Sequence, residues 1–350
     1  MTDESFISSR PNFKVGGETR ADLHEALMGM VVNLPLNGCA HAELTLSNWG
    51  RPEGEDDPDF TLTDLSLGDE IEILIGEDDD TRLFIGEITA LEEQYGDGAP
   101  TLALLLQDKL HKLSRMRDSR SFEEMSPNDI VSTLSSEAGL QSNVNVSDIS
   151  SHWHKLNESH LGFMLRILAK FDIALRLDGD QIRAKPEEED PNPITLDADD
   201  NALKIRLMVD LNHQASNTKV TGYNVANDEA TEFESSAMEP APQHTSAAQA
   251  LETLSWAGEE CVPHPFARSN AEAEAYAKAS FRRQAKRFVQ GTVVCQGEAS
   301  LRSGREIELS NVSPRFAGRY QIVHCTHRFD NQSGFETHLK VNRADWSPNS

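Results

Sequence analysis

The chain has 350 residues, 38% hydrophobic and 26% charged, a length that divides into two or three modules of ordinary size. Lys and Arg total 32 against 58 Asp and Glu, a formal net charge of −26. That balance argues against a phosphate-binding surface, because nucleic-acid affinity comes from clustered cations.

No apolar run approaches the roughly eighteen residues that suggest a membrane span. The polar, acidic start Met1-Thr2-Asp3-Glu4-Ser5 lacks the basic and apolar regions of a secretory signal, so the chain is expected to be made and kept in a cytoplasm unless a machine exports it. The acidity is compatible with a wall that nucleic acid slides past, or with plain solubility. Cys39, Cys261, Cys295 and Cys325 are widely spaced with no CxxC pair, which fits small buried hydrophobes better than a disulfide framework or a zinc ribbon.

The first third reads as strands. Asn48 to Pro58, with two prolines and two glycines, is expected as an exposed loop. Leu65 to Ile75 alternates with Ile71, Ile73 and Ile75 on one face, an acidic turn covers Gly76 to Asp80, and Arg82 to Ile88 forms the return strand. A turn at Tyr95 to Pro100 leads into Leu102 to Leu106. Short strands joined by turns point to an antiparallel sheet or barrel.

The period then changes. Ser126 is a candidate N-cap with Pro127 at the first helical position; Ile130, Val131 and Leu134 form the apolar stripe, and Gly139 ends the helix. A second helix is predicted over about Glu158 to Lys170, with Leu161, Met164, Leu165 and Leu168 on one face. A hairpin turns at Asp178-Gly179-Asp180 between Ile173–Leu177 and Gln181–Ala184. Pro186 to Pro193, carrying Glu187, Glu188, Glu189 and Asp190, is expected as a solvated boundary.

Strands return at Ala202–Leu207 and Thr218–Tyr223. Asp228 to His264 looks irregular, with a short helical piece near Ala247 to Leu254. Asn270 to Arg287 is a predicted helix, capped by Ser269 or Asn270, with Arg282, Arg283, Lys286 and Arg287 in its last turns, where the helix dipole favours cations. Further strands are expected around Thr292–Val294, Glu306–Leu309, Arg319–Arg328 and Phe335–Asn342. No repeat of fixed short period is visible, although two β-modules flanking an α/β module amount to a coarse duplication.

Chemistry-bearing clusters are few. His152 and His154, with Glu158 and His160 nearby, could serve zinc if a turn folded back, but no HExxH shares a helix face and a polar, partly exposed loop is the simpler expectation. On the strand His324-Cys325-Thr326-His327, Cys325 and His327 share a side, with Cys295 as a candidate third ligand; packed strand residues are the expectation. Carboxylates are everywhere, none isolated in an apolar stretch that would raise its pKa. No GxSxG elbow, P-loop or GxGxxG occurs. Accordingly no catalytic, cofactor-binding or metal-ligating residue is assigned, the chain is expected not to be an enzyme, and the interaction residues stay unassigned.

Four segments carry a family resemblance. Arg82-Leu83-Phe84-Ile85-Gly86-Glu87-Ile88 is followed by a Leu-rich strand ending near Leu110-His111-Lys112-Leu113. Arg120-Ser121-Phe122-Glu123 precedes Ser126-Pro127-Asn128-Asp129-Ile130-Val131. The segment Asn157 to Ala169 has Glu158-Ser159-His160 ahead of Phe163, Arg166 and Leu168. Gly318-Arg319-Tyr320-Gln321-Ile322-Val323 comes with His327, Gly334-Phe335-Glu336-Thr337 and Arg343. In this order the segments resemble the phage late control D family, the baseplate hub that also forms the N-terminal half of VgrG spike proteins. The departures are His160 where the family carries Asp, and Lys170 where it carries an acid.

The resemblance implies an α+β, mostly β fold: two tube-protein-like antiparallel β-barrels with intervening small α/β modules. The first barrel would cover 1–118, an α/β module 119–192, and the second barrel 193–350 with a helical insertion over about 228–290. It implies a structural baseplate hub of a contractile phage tail, a homotrimeric adaptor between the sixfold tail tube above and a separate threefold central spike below. Baseplate wedge and tape-measure proteins are further implied partners. DNA or cargo would pass through the lumen without specific binding, nothing would insert in a membrane, and the place would be the virion tail baseplate, assembled in the host cytoplasm. Three copies would carry about −78, three times the −26 of one chain, expected to line the lumen. Because the chain stops at Ser350, the split arrangement with a separate spike is expected, with no lysozyme or peptidoglycan-binding appendage after residue 343.

The alternatives are the equivalent hub of an extracellular contractile injection system, a tailocin or a type VI-like secretion machine. Two others differ in class: a tail-borne cell-wall hydrolase, and a carbohydrate-binding module using Trp49, Trp153, Trp256 and Trp346 as stacking platforms.

Overall fold

The computed structural model describes residues 10–51, 56–76, 81–96 and 98–347. The acidic turn expected over 77–80, the N-terminal Met1 to Ser5, and parts of the loop and turn expected at 48–58 and 95–100 lie outside the described residues.

The first part of the chain is a run of strands. β1 (Asn12–Val15), β2 (Glu18–Thr19) and α1 (Ala21–Ala26) lead into β3 (Leu27–Pro35) and β4 (His41–Ser47), followed by β5 (Glu70–Ile75), β6 (Thr81–Gly96) and β7 (Gly98–Gln107). Period-two alternation sets the buried face: Met30, Val32 and Leu34 on β3, Ala42, Leu44 and Leu46 on β4, and Leu102, Leu104 and Leu106 on β7 enter one core. On β5, Ile71, Ile73 and Ile75 are buried as the alternation predicts. That strand starts at Glu70 and not at Leu65, because a turn with Gly68 at φ +96° precedes it. Asn48, expected in an exposed loop, is buried, and its Oδ1 accepts a hydrogen bond from the Leu62 amide at 2.9 Å.

The middle mixes helices with short strands: α2 (Leu110–Arg115), β8 (Arg117–Met125), α3 (Pro127–Glu137), β9 (Gln141–Val144), β10 (Ser151–Ser159), α4 (His160–Leu168), β11 (Arg176–Asp178) and β12 (Gln181–Ala184). Helix α3 starts as its sequence dictates, the Ser126 hydroxyl accepting from the Asp129 amide at 3.2 Å. It ends in a Schellman motif: Gly139, at φ +71°, donates to Ser136 O, and Leu140 donates to Ser135 O. Helix α4 is capped by Ser159 and buries Leu161, Phe163, Met164, Ile167 and Leu168, while Leu165 is only partly buried.

The last part comprises β13 (Ile194–Asp197), β14 (Ala202–Val209), β15 (Asn217–Asn224), β16 (Glu229–Ser235), β17 (Thr245–Ser246), α5 (Ala247–Thr253), β18 (Glu259–Ala267), α6 (Asn270–Ala285), β19 (Val289–Gln296), β20 (Glu306–Ser310), β21 (Gly318–Asp330), β22 (Gly334–Arg343) and β23 (Asp345–Trp346). The segment expected to be irregular contains strands β16 and β18, which flank β15 in a separate small sheet. Gly222 of β15 permits this: a Cβ there would overlap the backbone of Ala267 on β18. Helix α6 covers that sheet and buries Ala273, Tyr276 and Ala277 in the same hydrophobic cluster as Phe163 and Ile167 of α4. The insertion between β14 and β19 therefore packs on the middle module.

One segment departs in part from its expectation. Pro186 to Pro193 is exposed at Pro186, Glu188, Glu189, Pro191 and Asn192, as expected, but two of its acids tie it down as an ion-paired strap. The Glu187 carboxylate meets Arg176 at 2.6 Å and Arg183 at 2.7 Å, with the three side chains 8–15% exposed, and Asp190 meets Arg305 at 2.9 Å. A run of acids looks solvated in sequence because its basic partners come from β11, β12 and a distant loop.

The main sheet has a duplicated topology. Its strands run β14-β19-β22-β21-β3-β4-β7-β6-β5-β1-β2, with β20 against β21 and β13 against β20. Within it, β3-β4-β7-β6-β5 and β14-β19-β22-β21-β20 have the same order with the same antiparallel pairings. Two of the bulges coincide as well. The register slips between Leu27 and Gly29 on β3 and between Ala202 and Lys204 on β14; it slips again between Ile88 and Ala90 on β6 and between Ile322 and His324 on β21. Two separately closed barrels do not form among the described residues. The second half of β21 pairs with β3, with His327 opposite Val32, and this joins the two repeats into one open, mostly antiparallel sheet over a shared core.

Candidate assembly surface

The residues with ligand chemistry are dispersed. His152, Trp153 and His154 lie on strand β10 and not in a loop, paired with β8; Trp153 is buried, while both histidines point to solvent. His160 is buried at the start of α4, its Nε2 3.0 Å from Glu137 Oε2. Glu158 instead pairs with Arg166 at 2.6 Å, and the neighbouring guanidinium holds its carboxyl below the usual range.

Cys325 and His327 do share one side of β21, both fully buried, with Cys325 Sγ 3.4 Å from His327 Nε2. The ring is occupied by other bonds. Nδ1 lies 3.0 Å from Thr337 Oγ1 and Nε2 lies 3.1 Å from Leu301 O, which fits Nε2–H as donor and Nδ1 as acceptor. Burial, with Arg302 nearby, pushes the imidazole down to about 3, and burial pushes the Cys295 thiol up to about 12. Among the described residues no group of three or more His, Cys, Asp and Glu is placed to hold a metal ion.

The four tryptophans do not form a common platform. Trp153 is buried with its Nε1–H donating to Met125 O at 3.0 Å, and Trp346 packs partly into the main core. Trp256 is 65% exposed by itself, and Trp49 stands edge-on to Phe60 at 5.2 Å.

The surface that stands out is a pair of unfinished sheet edges. Strand β6 pairs with β5 only through Thr81–Glu87, while its later residues pair with β7 alone, so Ala90–Gly96 offer one edge with no strand partner among the described residues. Strand β14 pairs with β19 alone and ends the sheet on the other side. An unpaired edge presents a row of N–H and C=O groups that template another strand.

The side chains along these edges are unfinished too. On the side of β6 that faces the core, Leu91 is 38% and Tyr95 63% exposed. The matched positions on β21, Cys325 and Phe329, are 0% and 6% exposed, because β3 covers them with Leu34 and Met30. On β14, Ile205, Leu207 and Val209 are only partly buried, whereas the matched Met30, Val32 and Leu34 of β3 are buried. The bulges fix this matching; sequence reading could not reach it without them.

A family model described as "Alg8 N-terminal domain" matches residues 11–331. No curated protein matches the chain. Several solved structures share the fold. The 43 kDa tail protein of prophage MuSo2 from Shewanella oneidensis superimposes with a TM-score of 0.71 at 11% identity, over 97% of this chain and 100% of that one. The tail protein from Neisseria meningitidis MC58 gives 0.69 at 12% identity, over 97% and 98%. An E. coli protein described as a component of the type VI secretion system with structural similarity to T4 bacteriophage tail proteins gives 0.61 at 12% identity, over 97% and 79%. At these identities the likeness establishes the shared fold.

Proposed function

We propose that this chain, which belongs to the Alg8 N-terminal domain family, is a structural hub protein of a contractile phage tail baseplate and not an enzyme. Three copies close a ring of six sheet repeats, a threefold object that presents sixfold geometry to the tail tube proteins on one side and threefold geometry to a separate spike on the other. Its place is the virion tail, and its working units are 1–118, 119–192 and 193–350.

The observation that carries this reading is the internal junction. Within one chain the second repeat's β21 receives the first repeat's β3. Besides the short outer strands β2 and β13, the edges left over are the later part of the first repeat's β6 and the outer side of the second repeat's β14, the same pair of elements. Applying the same junction between copies pairs β6 of one subunit with β14 of the next. Head-to-tail contacts of this kind generate closed rings when the rotation closes. The fold shared with the two tail proteins supports the same reading.

In such a ring the sheet face opposite the core lines the lumen. It carries Lys204 and Arg328 against Glu43, Glu92, Asp330 and Glu336 on alternating positions, while Arg206 and Lys340 of the same face line a cleft against α6 and the middle module, and Glu87 is tied to His111 and Lys112 of α2. On this reading the lumen lining is mildly acidic and most of the −26 lies outside it. Unspecific passage of DNA or cargo needs no more than the absence of a strong cationic track.

The same hub in an extracellular injection system, a tailocin or a type VI-like machine is the second reading, favoured by the fold shared with the type VI component. The test of the hub is mass measurement on the chain alone and co-expressed with its spike. A trimer is expected at least in the presence of the spike; a persistent monomer with no spike contact would overturn the proposal.

A further inference from the structure

Seven Lys and Arg side chains of this acidic chain line a cleft of about 1010 Å³ between the end of α6, the outward face of β14, β19 and β22, and the middle module. At one wall Arg282, Arg283 and Lys286 of the α6 end share a single carboxylate, Asp172, at 2.9, 3.6 and 3.2 Å. On the floor Arg206, Thr292 and Lys340 lie abreast on three neighbouring strands, Arg206 opposite Thr292 and Thr292 opposite Lys340. Arg206, Arg287 and Lys340 have no ion-pair partner among the described residues, and all three line the cleft. The lining holds four acids, Asp172, Glu187, Asp210 and Glu239, of which Glu187 is held by Arg176 and Arg183, against seven Lys and Arg side chains. A net positive concavity therefore sits in a protein of charge −26.

We propose that this cleft binds an acidic, apolar-flanked polypeptide segment of another protein. The positive charge calls for an anionic occupant, since complementary potentials are what favour and steer such encounters. Apolar contacts alternate with the cations: Met208, Ile173, Val323 and Met238 line the same space. That mixture suits a chain bearing both carboxylates and apolar side chains. It suits a single-stranded nucleic acid poorly, because such grooves add aromatic platforms for base stacking, and the lining holds no Phe, Tyr or Trp, its one ring being that of His213. The inference stands on the cleft alone and not on the hub reading, and ring closure through β6 and the outer edge of β14 uses the strand's other edge and its core-facing side chains.

The test uses the full chain with a fluorescein-labelled peptide of alternating Glu and Leu, its Lys and Leu counterpart, and labelled oligo-dT, read by anisotropy. Binding of the Glu peptide alone is expected. The pair of substitutions Arg206→Ser with Lys340→Ser should weaken it roughly tenfold or more, and Arg115→Ser, an exposed cation on α2 away from the cleft, should leave it unchanged. Thermal melts followed by circular dichroism establish that the doubly substituted chain is folded. The proposal is overturned by no binding of the Glu peptide, by oligo-dT binding as tightly, by equal loss in the Arg115 variant, or by unchanged affinity in a folded Arg206/Lys340 variant.

Discussion

Leu91 holds in the first repeat the place that Cys325 holds in the second: each follows a bulge on its long strand, opposite Leu104 and Leu339 respectively. Cys325 is covered by Leu34 of the neighbouring repeat, whereas Leu91 has no strand partner on that side among the described residues and is 38% exposed. The relationship turns an exposed leucine into a register marker. Carrying the Cys325–Leu34 pairing across subunits puts Leu91 opposite Val209 of the next copy, Glu93 opposite Leu207, and Tyr95 opposite Ile205.

That register predicts a crosslink. Leu91→Cys combined with Val209→Cys should give disulfide-linked oligomers on oxidation, because directly opposed Cβ atoms in an antiparallel pair lie about 4.5–5.5 Å apart, near the spacing a disulfide needs. Leu91→Cys with Met208→Cys is the off-register control, since a one-residue step moves the side chain to the other face. Non-reducing electrophoresis reads the result. Equal crosslinking in both pairs, or in neither, would exclude the proposed register.

A charge on the open edge should separate assembly from folding. Leu207→Lys places an ammonium on the partly buried side of β14, where a snorkelling stem can still reach water in the free subunit. Within the junction it would be enclosed between strands. The variant is expected to melt within about 1 kcal/mol of the parent while remaining monomeric in the presence of the spike. A trimer of unchanged mass would show that β14 is not the joining edge.

Much of the fold was legible in the sequence wherever alternation and end signals agreed. Ile71, Ile73 and Ile75 announce β5, and Ser126, Pro127 and Gly139 bracket α3 because each meets a specific backbone need. Strand β10 was hidden by an inverted pattern. Its inward positions hold Trp153 and Lys155, the latter fully buried with its Nζ 2.5 Å from Asp118 Oδ1, while Leu156 points outward at 76% exposure. A buried lysine reads as polar surface until its partner on β8 is seen. The duplication was hidden for another reason. The two repeats keep pleat, order and bulges but not residue types, so Glu93 stands where His327 does and Tyr95 where Phe329 does. Hydrogen-bond geometry survives changes of that kind.

The strap over 186–193 makes a third prediction. Glu187 is the only carboxylate bridging Arg176 and Arg183 among the described residues. Glu187→Gln keeps the shape and removes the charge, leaving two nearly buried guanidiniums facing each other. A loss of about 3 kcal/mol is expected, the usual scale for breaking a buried pair from one side. Urea unfolding measures it. A loss below about 0.5 kcal/mol would place the strap with ordinary surface ion pairs.

His327 gives the fold a defined acid sensitivity. The folded chain holds its imidazole down to about 3, against 6.5 as the ordinary value, because the ring is enclosed beside Arg302. Below pH 6.5 the unfolded chain takes up a proton that the folded chain refuses, so the sign is fixed: stability falls as pH drops from 6.5 and this contribution levels off near pH 3. Its slope over that window is about 1.4 kcal/mol per pH unit. Carboxylates held by cations, such as Glu158 and Glu137, add their own loss only lower, as pH falls through their depressed folded values. His327→Asn retains an acceptor for Thr337 and a donor for Leu301 but cannot take the proton. Urea unfolding at pH 7 and pH 5.5 should therefore show a smaller difference in the variant than in the parent, even where the variant is less stable at both. An identical difference in the two proteins would mean that His327 is not the group that titrates between them.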